Sequence, residues 1–226
     1  MCDCAKCVDA REKMGGYGGQ ELDFTNKVAV DLDAWLAENY PDRELRYIFF
    51  AYQTSSEPPV KYDETAKKYV PVRSDFEVKD NVYVLYCPIE SDFSKPLTDP
   101  VNSAQYEQLS GWKDAFAAAG KDANIMIWTY SIPCYSYFVP LDNFGVYGEH
   151  YRTFKDLGVS YVFDQSVYDS ATPGFESLKI YTQAKLMWRE DLSYDDLAED
   201  FINHYYGNAA EEIKKYHDFI RSYYKY

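Results

Sequence analysis

The sequence has little positive charge. Its 226 residues carry 23 Lys and Arg against 37 Asp and Glu, a formal net charge of −14. So acidic a chain repels phosphate backbones and anionic lipid surfaces, which removes nucleic acid and membranes from the expected partners. Long apolar runs are also missing. None approaches the roughly 20 residues that cross a bilayer, and no basic segment followed by an apolar one marks a signal peptide. No strand-like run leads into GxGxxG or GxxxxGK(S/T), which weighs against a nucleotide-binding sheet. The "GGYGG" at 15–19 follows no strand and reads as a flexible loop. Neither HExxH nor a Ser-His-Asp spacing occurs, so a zincin or a serine hydrolase has no support. The three histidines, His150, His204 and His217, fall in helical stretches and read as surface or interface residues. No cofactor is expected.

Aromatic residues, by contrast, are abundant: 24 Tyr, 13 Phe and 4 Trp, 18% of the chain. Most belong in the core of a chain that is 46% apolar, while those at strand ends are candidates for stacking on a ligand ring. Four near-continuous apolar runs, at 46–53, 82–89, 124–131 and 159–166, have the pattern of parallel strands covered on both faces. Helical periodicity fills the intervals. Residues 25–39 place Val28, Leu32, Trp35 and Leu36 on one face, and residues 103–119 do the same with Tyr106, Leu109, Trp112 and Phe116. A further helix ends at Gly158, and another follows the fourth strand. From Ser193, which makes a capping pair with Asp196, the pattern turns wholly helical. One stripe is Leu197, Phe201 and Tyr205, Gly207 is a stop, and a second stripe is Ile213, Tyr216, Ile220 and Tyr223. The fold class is therefore α/β, with parallel βα units over 1–192 and a helical extension over 193–226. Periodicity alone leaves open whether the four strands form an open doubly wound sheet or part of a barrel.

In parallel βα folds the reactive groups gather at the carboxyl ends of the strands. Those ends offer Tyr52, Gln53 and Glu57, then Glu90 and Asp92, then Trp128 and Tyr130, then Asp164 and Gln165. Hydrolysis of a glycosidic bond needs two carboxyl groups facing one sugar, and Glu90 with Asp164 is the expected catalytic pair. Asp164 follows the apolar "YVF", where partial desolvation would raise its pKa toward that of a useful acid. Tyr52, Trp128 and Tyr130 are the stacking candidates; Asn143 and Gln165 are the amides suited to sugar hydroxyls. The plainer alternatives are rim carboxylates binding loop amides and aromatic rings belonging to the core. Cys2, Cys4 and Cys7 sit at a spacing able to ligate a soft metal, to form a disulfide, or to remain free thiols, and they are weak metal candidates because a fourth ligand is lacking. Cys87 and Cys134 follow neighbouring strands, as a pair or as buried free thiols.

Several stretches together resemble one family. They are "CDCAKC", "FTNKVA", "FFAYQTSSEPPV", "VYVLYCPIESDFSKPLTDP", "IWTYS" followed by "VPLDNF", "YRTFKDLGVSYVF", "AKLMWRED" and "DFINHYYGNAAEEIKKYHD". In this order they are similar to the bacterial domain of unknown function 4838, a glycoside-hydrolase-like TIM barrel family related to α-glucuronidases. The resemblance implies the C-terminal half of a (β/α)8 barrel, whose missing N-terminal half would be its partner and without which it would be inactive. It also implies an extracytoplasmic or secreted location and a carbohydrate partner. One departure stands out: where the family commonly places a further cysteine after "DP", this chain has Val101 and Asn102. The expected function is a carbohydrate-active, glycoside hydrolase-like domain acting on complex or uronic-acid-containing polysaccharide by paired carboxylates. The alternatives are a non-catalytic glycan-binding module, or an interaction domain using Tyr205, Tyr206, Tyr223 and Tyr224.

Overall fold

The structure is a computed structural model that describes residues 2–121, 124–133, 140–166 and 174–223. In chain order its elements are α1 (Ala5–Met14), α2 (Tyr17–Asn39), β1 (Tyr47–Tyr52), β2 (Val60–Asp63), β3 (Lys68–Pro71), β4 (Val82–Cys87), α3 (Ser103–Ala118), β5 (Ile125–Tyr130), α4 (Tyr147–Asp156), β6 (Val159–Gln165), α5 (Glu176–Trp188), α6 (Tyr194–Tyr206) and α7 (Ala210–Tyr223). The main sheet runs β1-β4-β5-β6, and β2 and β3 form a separate antiparallel pair. β1 pairs with β4 in parallel from Tyr47↔Val82 to Tyr52↔Cys87, and β4 pairs with β5 in parallel from Val84↔Ile125. The fold is thus a mixed α/β structure around a four-stranded parallel sheet. Among the described residues no helix is long and apolar enough to cross a membrane.

The chain divides into two compact units. The first comprises Met1–Glu90, Ala104–Trp128 and Leu157–Phe163; the second comprises Ser91–Ser103, Thr129–Asp156 and Asp164–Tyr226. In the first unit, alternation along the strands separates two sheet faces. Phe49, Ala51, Val82, Val84, Tyr86, Ile125 and Ile127 are buried on one of them. There Trp112 of α3 meets Phe49 edge-on at 5.6 Å between centroids, while its Nε1–H donates to the Ser56 carbonyl at 2.8 Å. The opposite face is partly open: Leu85 and Cys87 are buried on it, but Ile48, Phe50, Tyr161 and Phe163 are 46%, 51%, 52% and 40% exposed, and Trp128 is half-buried between Phe50 and Phe163. Parallel sheets are ordinarily covered on both faces, so an aromatic face left open is unusual.

Several expectations need correction. The "GGYGG" stretch is not a flexible loop. Gly15 closes α1 with φ +79, and Gly18 and Gly19 are buried in the first turn of α2, where a Cβ would collide with the carbonyls of Glu57 and Met14 respectively. The buried stripe of α2 is Leu22, Thr25, Ala29 and Leu36, so Val28 and Trp35 face outward. His150 and His217 are core residues, 5% and 2% exposed, and only His204 is at the surface.

The second unit packs α4, α5, α6 and α7. Ser193 Oγ accepts from the Asp196 amide at 3.3 Å, and acidic Asp195 and Asp196 in the first turn suit the positive end of the α6 dipole. Gly207, at φ +52, ends that helix. The inward residues are Tyr194, Ala198 and Ile202, one position round from the expected Leu197, Phe201 and Tyr205. In α7 they are His217 and Ile220. Phe144 lies against Tyr194, Phe175 and His217, and Tyr194 Oη meets His217 Nε2 at 3.0 Å.

Candidate functional site

The second unit holds a buried polar cluster at the carboxyl ends of β5 and β6. Ser131 directly follows β5, and Asp164 is the penultimate residue of β6. Two helices complete the cluster through their periodicity. Tyr147 and Tyr151, four apart on α4, stack nearly parallel at 6.3 Å. On α5, Glu176, Lys179 and Gln183 share one face, beside the apolar Leu178 and Leu186.

Ser131 is the hub. Its hydroxyl donates to Asp164 Oδ1 and accepts from Gln183 Nε2. Its carbonyl accepts from Lys179 Nζ at 3.1 Å and from Asn143 Nδ2 at 3.2 Å, and its amide donates to the Gln165 carbonyl at 2.9 Å. Lys179 Nζ also donates to the Leu141 carbonyl at 3.0 Å and lies 5.0 Å from the centre of the Phe144 ring. Tyr151 Oη donates to Asp164 Oδ2 at 3.2 Å. Three buried atoms of this cluster have no hydrogen-bond partner among the described residues: Asn143 Oδ1, Tyr147 Oη and Glu176 Oε1. Buried polar atoms are rarely left unpaired, so these mark spare hydrogen-bonding capacity around the carboxyl.

Burial dominates the electrostatics. It pushes the Asp164 carboxyl up to about 6, against the Ser131 and Tyr151 hydroxyls and the Lys179 charge, which pull it down. The same burial holds the Lys179 ammonium down at about 8, opposed by the charges of Glu176 and Asp164. It also raises the Tyr147 and Tyr151 phenols well above their usual range, with the Asp164 charge adding to the effect. Asp164 is therefore a carboxyl able to carry a proton close to neutrality, which is the property a general acid requires.

Asn143 and Gln165 belong to the Asp164 cluster. Glu90, in the first unit, is exposed and borders a cleft of about 10 Å³ with Cys87, Gln105 and Gln108, room for roughly one water. Tyr52 is half-buried and accepts from Gln53 Nε2 at 3.3 Å. Trp128 stands on the open sheet face beside Phe163, 4.5 Å away. Tyr130 is 7% exposed and packed on Phe93, so its ring is enclosed by protein. Asp92 has a local structural role: its Oδ1 accepts from the Ser94 amide, while Asn102 ties its backbone to the same loop. Glu57 accepts from Gln108 Nε2 at 2.9 Å. Two open grooves of about 500 and 980 Å³ lie along α2, away from the strand carboxyl ends.

Cys87 is buried in β4, with its thiol pushed up to about 12 by burial. It is not part of the thiol cluster that Cys2, Cys4 and Cys7 form. Cys134 lies outside the described residues.

Sequence reasoning missed Ser131, Tyr147, Tyr151, Glu176, Lys179 and Gln183. The one available signal was the 176-179-183 spacing of polar residues next to an apolar stripe, a pattern identical to that of a solvated helix face.

The family model described as "Domain of unknown function (DUF4838)" matches residues 1–218. No curated protein and no solved structure matches the chain.

Proposed function

The chain belongs to the DUF4838 family, and from that premise we propose that it is a carbohydrate-active, glycoside hydrolase-like domain in which Asp164 is the general acid. A single observation carries the reading: a carboxyl at a strand's carboxyl end whose burial brings its pKa to about 6. About one Asp164 in ten then holds its proton at pH 7. That proton would pass to the glycosidic oxygen as the bond to the anomeric carbon breaks, while water gives its hydroxyl to that carbon and its remaining proton to solvent, from which Asp164 is reprotonated. The unpartnered Asn143 Oδ1, Tyr147 Oη and Glu176 Oε1 suit sugar hydroxyls, which both donate and accept. Complex or uronic-acid-containing polysaccharide is the substrate class, acted on outside the cytoplasm. Glu90, in the other unit, enters only as a separate variant.

We further propose that the sheet is part of a (β/α)8 barrel. The support is its partly open aromatic face: the inward residues of a closed barrel meet one another across its interior, whereas Ile48, Phe50, Tyr161 and Phe163 are 40% to 52% exposed and the ring contacts of Phe50 and Phe163 are to Trp128 of the same sheet.

The experiment is product release from a panel of neutral and uronic-acid-containing polysaccharides by the longest natural protein carrying this chain, compared with its Asp164→Asn and Glu90→Gln variants. Loss of a general acid lowers the rate by roughly 100- to 10,000-fold. Hydrolysis unchanged in Asp164→Asn overturns the assignment. Glycan binding without product from any substrate overturns hydrolysis and leaves a binding module.

A further inference from the structure

The thiols that open the chain are preorganised. The Sγ atoms of Cys2, Cys4 and Cys7 all lie within 4.8 Å of one another. Sulfurs bound to one tetrahedral zinc, at about 2.3 Å from the metal, stand roughly 3.8 Å apart, so side-chain rotation of about 1 Å closes the set on an ion. The backbone explains the convergence. Cys4 is the N-cap of α1 and Cys7 lies in its first turn, with the Cys7 amide donating to the Cys4 carbonyl at 2.9 Å. Cys2 precedes the helix and would splay away without a restraint, which Arg11 provides. Arg11 Nη1 donates to the Cys2 carbonyl at 2.7 Å, and Nη2 holds Asp3 Oδ1 at 2.9 Å. The Arg11 side chain is only 13% exposed, and its guanidinium lies over the Tyr17 ring at 4.5 Å.

We propose that Cys2, Cys4 and Cys7 form a three-thiolate site for a soft d10 cation of the zinc class, with the fourth position open to water or an exogenous ligand. Thiolates select such ions over hard ones such as magnesium or calcium. Binding one divalent ion releases three thiol protons and leaves a complex of net charge −1, which the Arg11 guanidinium and the N-terminal end of α1 both favour.

The inference is independent of the Asp164 reading, and its test does not use activity. The purified chain, kept in a non-thiol reductant, is titrated with Co2+ and followed by the thiolate-to-metal charge-transfer band and the intense visible bands of tetrahedral cobalt. The expected result is saturation at one equivalent, displacement by Zn2+, and loss of the bands in each of Cys2→Ser, Cys4→Ser and Cys7→Ser. Cys87→Ser should leave them intact. Arg11→Ala, which removes the restraint but no ligand, should weaken binding roughly 10- to 100-fold. Absence of stoichiometric uptake by the reduced, folded chain overturns the site, as does uptake that persists in the triple serine variant.

Discussion

Replacing Asp164 by Asn should change the pH dependence of stability in a direction that an exposed carboxyl cannot reproduce. The folded carboxyl titrates near 6 and the unfolded one near 3.8. The folded state thus binds the proton more tightly, and Asp164 contributes stability that is fully present below about pH 3.8 and lost as pH rises through 6. The full span is about 3 kcal/mol, at 1.36 kcal/mol per unit. Between pH 8 and pH 5, where the folded carboxyl is mostly protonated and the unfolded one is still ionised, the share is about 1.4 kcal/mol. Asn cannot ionise. It also mismatches one of the two donors, Ser131 Oγ–H and Tyr151 Oη–H, at a cost of about 1 kcal/mol at any pH. The variant should therefore be more stable than the wild type at pH 8 by about 2 kcal/mol and gain less on acidification. Urea denaturation at pH 8 and pH 5 measures both differences. A gap between variant and wild type that does not change with pH would show that Asp164 is an ordinary carboxylate.

Lys179→Met removes the charge that holds the Asp164 carboxyl down, so the Asp164 midpoint should rise above 6 in a carbon-13 NMR titration; an unmoved or lower midpoint contradicts the coupling. Trp112→Ala should cost about 3–5 kcal/mol in urea, because it empties the contact with Phe49 and Phe116 and leaves the Ser56 carbonyl unpaired. A loss under 1 kcal/mol would contradict its place in the core. Phe50→Lys, on the open sheet face, should stay within about 0.5 kcal/mol of wild type in this chain alone. In a longer protein whose barrel is closed it should be severely destabilising; equal tolerance in both would count against closure.

The four strands were legible because each is a run of β-branched and aromatic residues dense enough to announce burial. The hairpin of β2 and β3 was not, since "VKYD" and "KYVP" are short, charged and proline-edged. Helix faces were misjudged by about one position for one recurring reason. Hydropathy favours the large Val28, Trp35 and Phe201, but helices pack closely through small residues, and Thr25, Ala29 and Ala198 turned inward instead. The histidines were misjudged similarly: His150 is buried because the Lys95 carbonyl lies 2.9 Å from its Nε2, a partner 55 residues away. Asp164 was visible as a strand-end acid after three apolar residues. Its surroundings were hidden because Ser131 after β5, Tyr151 on α4, and Lys179 and Gln183 on α5 converge from three distant parts of the chain, and a lysine on an amphipathic helix carries no mark of burial until the fold is known.

The most direct test is the titration of the Asp164 side-chain carboxyl itself, observed by carbon-13 NMR in the folded chain and assigned by its disappearance in Asp164→Asn. A midpoint near pH 6 is the expected result. A midpoint at or below about 4, the value of a solvated aspartate, would contradict the account.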